Sequence, residues 1–219
     1  MPFIYSNGLR IFQFETFLSR NLIHGIFTRQ GGVSPEPWDT LNVGSLVGDD
    51  PKNVLINRDR SLAAFNRKTE SLYEVWQVHS RNVVVAQNPR DPQDEHLKAD
   101  AIITANPMVT VFMRFADCVP ILLYDTENHI CSMVHSGWEG TVKQIVVRTI
   151  EKLKDQFGSK PNNIIAGIGP SIGPGMYEIG QNVIEKVKSN FDTAQNRVLI
   201  YRNGSVYFDL WESNKILLH

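Results

Sequence analysis

His79, Cys118 and His135 are the residues whose types and placement can do chemistry. Cys118 stands in Ala116-Asp117-Cys118-Val119-Pro120, and His135 opens His135-Ser136-Gly137-Trp138-Glu139-Gly140. Between them, Ile121-Leu122-Leu123-Tyr124-Asp125 and Ile130-Cys131-Ser132-Met133-Val134 read as two apolar strands joined by a polar turn. Paired as a hairpin, they place Cys118 where the first strand begins and His135 where the second ends, at one end of the pair. His79, in Trp76-Gln77-Val78-His79-Ser80, closes another apolar run. Two imidazoles and a thiolate suffice for a zinc site with an open fourth position, which lowers the pKa of a bound water toward neutral and can polarise a carbonyl. Asp117, beside the thiolate, can orient a ligand or shuttle a proton, or simply cap a turn. Other readings share these residues. A cysteine in an apolar run also fits a buried small hydrophobe. Cys118 with one histidine as base fits a metal-free hydrolase, although two histidines favour metal. No local motif links His79 to Cys118, so spacing alone leaves these open.

The elements around these residues follow from punctuation and period. Asn7-Gly8 predicts an N-terminal hairpin over residues 3–14. Leu22 to Thr28 reads as a buried strand, ended by Gln30-Gly31-Gly32; Arg29 is then a loop charge or an anion contact at a strand end. Asp50-Pro51 starts a helix to about Asn66, with Asp50 as cap and Pro51 in the first turn. Arg58 falls on or beside its apolar face, as a packed stem or a buried anion-binding residue. Leu72–Val78 and Asn82–Ala86 predict two strands with His79 at their corner. Residues 88–98 form an exposed loop carrying His96, and 101–104 and 109–115 are further strands. Gly137 and Gly140 bracket a turn into a helix over about 141–157, with Gly158 as C-cap. A helix start beside the metal residues can hold an anion. A strand over 163–168 leads into Gly167-Ile168-Gly169-Pro170-Ser171-Ile172-Gly173-Pro174-Gly175, whose spacing and prolines rule out a dinucleotide fingerprint. A helix over 178–191, a hairpin around Asn203-Gly204 and a helix capped by Asp209 complete the chain.

At 219 residues, with 42% hydrophobic and 21% charged residues, the chain is expected to fold as one soluble α/β (α+β) domain, residues 1–219, with mixed sheet layers flanked by helices. A net charge of −1 without a basic block argues against a nucleic-acid footprint. No apolar run reaches the roughly 18 residues of a membrane span, and no secretory leader is visible. Two cysteines, Cys118 and Cys131, make no disulfide framework, so a cytoplasmic protein is expected.

Several motifs in one order carry a family resemblance from about Asn21 to the last residue. They are His24-Gly25-Ile26-Phe27-Thr28-Arg29-Gln30-Gly31-Gly32-Val33-Ser34, Leu41-Asn42-Val43-Gly44, Gly48-Asp49-Asp50 and Asn57-Arg58. Next come Gln77-Val78-His79, Ala99-Asp100-Ala101 with Thr104, Ala116-Asp117-Cys118-Val119-Pro120, His135-Ser136-Gly137-Trp138 and Gly169-Pro170-Ser171-Ile172-Gly173. The chain resembles the YfiH-type family, also called the laccase-domain or multicopper polyphenol oxidase family and described as a purine nucleoside phosphorylase family. The resemblance implies zinc on His79, Cys118 and His135, and phosphorolysis or deamination of adenosine, inosine, guanosine and methylthioadenosine. It implies a small nucleoside and phosphate as partners, in a monomer or weak homo-oligomer. Arg29, Asn42, Arg58 and Gln77 become candidate substrate or anion contacts, and Asp117 a catalytic candidate. It also implies a fold like that of Cys-His toxins, and links to amidases acting on cell-wall precursors.

The older label makes copper the alternative metal, since two histidines and one cysteine are also the equatorial set of a blue-copper centre. A multicopper cluster needs more imidazoles: the six here are His24, His79, His96, His129, His135 and His219, with no His-x-His pair. Two departures stand out. The family commonly has arginine where this chain has Glu139, which is expected to weaken phosphate binding there unless another cation compensates. Members also usually continue past the equivalent of His219 with a Cys-Thr motif and a Phe-Ser-x-Arg-Arg-like ending, so a C-terminal truncation is expected.

Overall fold

In the computed structural model, which describes residues 3–219, the strands and helices follow one another in an α/β order. The N-terminal strands are β1 (Phe3–Ser6), β2 (Leu9–Phe12) and β3 (Ile26–Phe27), with the short helix α1 (Glu15–Leu18) between the last two. Helix α2 (Pro51–Ala63) follows, then β4 (Leu72–Tyr73), β5 (Val83–Val85), β6 (Ala101–Thr104), β7 (Thr110–Val111), β8 (Val119–Asp125) and β9 (Ile130–Ser136). The last third contains α3 (Trp138–Val142), α4 (Ile145–Phe157), β10 (Ile164–Ile168), α5 (Gln181–Asn190), α6 (Gln195–Val198), β11 (Leu199–Arg202), β12 (Ser205–Phe208) and α7 (Leu210–Leu218).

The central sheet has the order β10-β8-β9-β6-β5. All its pairs are antiparallel except β5 with β6, so the sheet is mixed. Strand β8 is buried at every position, as expected for apolar sequence between two neighbours and two packed faces. Alternate residues serve the two faces. Ile121, Leu123 and Val134 pack with Ile145, Val146 and Leu153 of α4 and with Val183 and Val187 of α5. On other faces Leu122 and Tyr124 meet Phe17, while Ile102 meets Val75, Ala99 and Met113. The small sheets β1-β2-β3, β11-β12 and β4-β7 pack around this layer.

The hairpins around Asn7-Gly8 and Asn203-Gly204 form as read, with both residues of each turn at positive φ. Asp50 caps α2 by accepting from the Lys52 amide, and Asp209 caps α7 by accepting from the Glu212 amide. Gly158 ends α4 in the left-handed region.

Five expected elements are shorter or broken. The strand expected over 22–28 is only Ile26–Phe27, because the His24 ring binds the Leu22 carbonyl and the Phe14 amide. Strands 72–78 and 82–86 do not pair with each other. β4 lies parallel to β7 and β5 parallel to β6, and the amides of Val78, His79 and Ser80 go to the Asp100 carboxylate instead of a ladder. The run 109–115 keeps only Thr110–Val111 as strand, since the Gln77 side chain takes both the N–H and the carbonyl of Arg114. The helix expected over 141–157 starts earlier, at Trp138, with Gly137 as cap and Gly140 inside it, and breaks at Gln144, φ 59°. The break reorients α4 so that Ile145, Val146, Thr149 and Leu153 are buried. Two helices are also shorter than read. α2 stops at Ala63, and α5 begins only after Gly180 because Glu178 bridges Tyr207.

Candidate metal centre

The β8–β9 register pairs Val119 with Ser136 and Pro120 with His135, so Cys118 and His135 meet at one end of the hairpin. His79 arrives from the loop between β4 and β5, at φ 55°. The Cys118 Sγ lies 3.8 Å from His79 Nε2, and the imidazole centroids of His79 and His135 are 5.0 Å apart. One ligand atom from each of the three residues falls within 4.8 Å of the others. His135 is buried, Cys118 half-buried and His79 exposed, so the group is rooted in the core and open on one side.

Whether these residues fit a metal can be judged from the cradle itself. Thiolate and imidazole are both zinc donors, and three protein donors with one open side is the pattern of catalytic zinc sites. Gly137 closes the floor: a Cβ there would stand 2.8 Å from Cys118 Sγ and 3.0 Å from His79 Cδ2. Only glycine lets the strand end approach Cys118 and His79 this closely.

Behind the group stands Asp100, fully buried. Its carboxylate accepts from the amides of Val78 (3.3 Å), His79 (3.1 Å) and Ser80 (2.6 Å), from Ser80 Oγ (2.7 Å) and from His135 Nδ1 (2.8 Å). A carboxylate only accepts, so Nδ1 carries the proton and Nε2 is left for a metal. Burial pushes the Asp100 carboxyl up, but the bonds from His135, Ser80 and Val78 outweigh it and bring it down to about 2. Burial disfavours charge on His135, yet Asp100 and Cys118 raise it to about 9. Phe115 covers His135 with ring centroids 5.5 Å apart.

The other candidate residues supply no ligand atom to this group. Asp117, exposed and at φ 68°, accepts at its backbone carbonyl from Ile172, which ties the glycine-rich loop to the site; among the described residues its carboxylate makes no hydrogen bond. Gln77 reaches its neighbourhood through Arg114. Asn42 bonds Gly44 twice and Asp49 once, inside a loop network that also holds Ser34 and the fully buried Asn57. Arg29 is exposed and pairs with Asp39, and Arg58 pairs with the buried Glu74. Among the described residues no second group of three metal-ligating side chains comes together.

Sequence reasoning missed two contributors. Asp100 entered only as part of a motif, although a carboxylate inside Ala99-Asp100-Ala101-Ile102-Ile103 is a signal in itself: a buried charge requires partners. Lys143 was not singled out. It bonds the His79 carbonyl at 2.9 Å and Glu139 at 2.6 Å, so the carboxylate at that helix entrance is already paired. The Lys143 hydrogen bond holds the Glu139 carboxyl below its usual range.

Fold and site together define a mixed α/β protein with one His/Cys/His group able to hold a metal ion. Residues 23–219 match the family described as multi-copper polyphenol oxidoreductase laccase, and the chain belongs to that family. It is 30% identical over 215 residues to a purine nucleoside phosphorylase of Bacteroides thetaiotaomicron, covering 94% of this chain and 80% of the relative. It is 35% identical over 195 residues to a purine nucleoside phosphorylase of Deinococcus radiodurans, covering 89% and 73%. The crystal structure of YlmD from Geobacillus stearothermophilus superposes with a TM-score of 0.90 at 25% identity, over 99% of this chain and 83% of that one. No helix among the described residues is long and apolar enough to cross a membrane.

Proposed function

We propose that this chain is a zinc-dependent purine nucleoside phosphorylase whose centre also deaminates adenosine, with inosine, guanosine and methylthioadenosine as further substrates. The observation that carries the reading is the convergence of His79, Cys118 and His135 on one open-sided point, in a chain whose relatives bear that name. When bound there, zinc supplies Lewis acidity toward a substrate atom or a water.

The chain's own residues do the rest. Asp100 fixes the His135 tautomer and the His79 backbone, which pre-orients both imidazoles. In phosphorolysis a phosphate oxygen bonds to the ribose C1′, the bond from C1′ to the base nitrogen breaks, and the leaving base takes a proton. Asp117, exposed beside Cys118, is the group assigned to move that proton. Arg58 and Arg29 are the cations assigned to phosphate, each already carrying one carboxylate partner. Asn42 and Gln77 act by holding the loops that frame the substrate. A single ligand group among the described residues favours this mononuclear reading over a copper polyphenol oxidase.

The test is product analysis with zinc-loaded protein on adenosine and inosine, with and without phosphate. The expected result is free base and ribose 1-phosphate only when phosphate is present, and inosine from adenosine without it. Absence of phosphate-dependent base release would reject phosphorolysis.

A further inference from the structure

The His79 corner is held at two points, and the second point has no assigned role. His79 occupies the left-handed region at φ 55°, a conformation that is uncommon outside glycine and persists only when its surroundings fix it. On one side its amide donates to Asp100 Oδ1 at 3.1 Å. On the other its carbonyl accepts from Lys143 Nζ at 2.9 Å, and among the described residues no other group donates to that carbonyl. Lys143 ends α3, the helix that starts directly after the Gly137 floor of the cradle. Its Nζ is aimed by Glu139 Oε2, one turn earlier, at 2.6 Å. Gly140 of the same helix faces the Ser80 carbonyl, so α3 abuts the corner through its backbone as well.

The Glu139–Lys143 pair is too exposed to matter much for folding: the two side chains keep 38% and 42% of their surface. Exposed pairs of this kind contribute little to stability, and a lysine end group in water needs no carbonyl partner. What the pair accomplishes is geometric. It immobilises a flexible stem so that one N–H fixes the peptide following a metal-ligating residue. It also places a cation at the helix entrance beside Glu139.

We infer that Lys143, aimed by Glu139, is a positioning residue that locks the His79 backbone in the conformation needed to ligate metal. The inference rests on the reading of His79 as a ligand. Lysine 143 touches neither metal nor substrate in this role; it acts through the His79 carbonyl. Outer partners of metal ligands commonly govern affinity by 10–100-fold.

The experiment measures the zinc dissociation constant of the full chain by competition with a chromophoric chelator, for the parent, Lys143→Ala and Lys143→Arg, with melting temperatures of the metal-free proteins alongside. Lys143→Ala is expected to weaken zinc binding by about tenfold or more. Lys143→Arg, which can still donate to the carbonyl, is expected to stay within about threefold of the parent. Metal-free melting temperatures should agree within about 2 °C, because the pair is exposed. Zinc affinity of Lys143→Ala within about twofold of the parent would overturn the inference. So would equal loss in both variants accompanied by a lowered melting temperature, which would mark a structural role. A parent chain that takes up no zinc would instead reject the metal reading itself, before any variant is compared.

Discussion

His135 donates its Nδ1–H to Asp100 Oδ1 at 2.8 Å, with both side chains buried. The same carboxylate holds the amides of Val78, His79 and Ser80. One residue therefore orients two of the three metal-site side chains, one through its ring and one through its backbone. Asp100→Ala leaves those amides and the imidazole without their acceptor in the core. It is expected to cost about 3–5 kcal/mol of stability and to weaken zinc binding by about 10–100-fold. Chemical denaturation and chelator competition check this; a variant within 1 kcal/mol of the parent would remove Asp100 from its central place.

The same pair sets a pH dependence. Asp100 is depressed to about 2, so its contribution is present above its ordinary value of 3.8 and is lost as pH falls from there toward 2. The shift corresponds to about 2 kcal/mol. His135 is raised to about 9 in the metal-free chain, so the stability its charge supplies is present below 6.5 and is lost as pH rises through 9. A metal must displace that proton. Zinc uptake at pH 7 should release a proton from His135, and apparent affinity should climb between pH 6.5 and 9. Calorimetry in two buffers of different ionisation enthalpy measures this; a buffer-independent heat would contradict it.

Gly137 offers a steric test. Its φ of −70° suits any residue, so alanine is excluded only by the cradle, where its Cβ would press on Cys118 Sγ and His79. Gly137→Ala should cost about 1–3 kcal/mol and weaken zinc binding by on the order of tenfold. Gly158→Ala, in open space at φ 67°, should cost about 1 kcal/mol through its backbone and leave zinc affinity unchanged. Equal zinc affinities in both variants would argue against the cradle.

The two cysteines should differ in reactivity. Both thiols are half-buried, but the apolar surroundings of Cys131 raise its thiol to about 11, whereas Cys118 lies beside two imidazoles. A thiol reagent should label Cys118 first in the metal-free protein, zinc should protect it, and Cys131 should react more slowly because its thiol is harder to ionise. Peptide mass spectrometry locates the label, and preferential labelling of native Cys131 would contradict this picture.

The hairpin that joins Cys118 to His135 was legible because its signals are local: two apolar runs, a polar turn between them, and flanking residues that a hairpin brings to one end. The caps at Asp50 and Asp209 were legible for the same reason. The 72–82 segment was not. Its apolar residues read as strand, yet its amides are claimed by a carboxylate about twenty residues later in the chain, and no periodic pattern shows such a bond. The break at Gln144 was hidden likewise, since apolar spacing on both sides fits one continuous helix and only packing on the sheet separates α3 from α4. Asn57, fully buried and bonded to Ser34, Thr40 and Asn42, entered only through the Asn57-Arg58 motif, because its partners lie in a distant loop.

The most direct test of the central claim is the zinc content of the purified, zinc-exposed chain beside that of Cys118→Ala, measured by elemental analysis with a metal-free melting curve for each. About one zinc per chain is expected in the parent and less than about a tenth of that in the variant, with both proteins folded. A folded Cys118→Ala that keeps its zinc, or a parent that holds none, would contradict it.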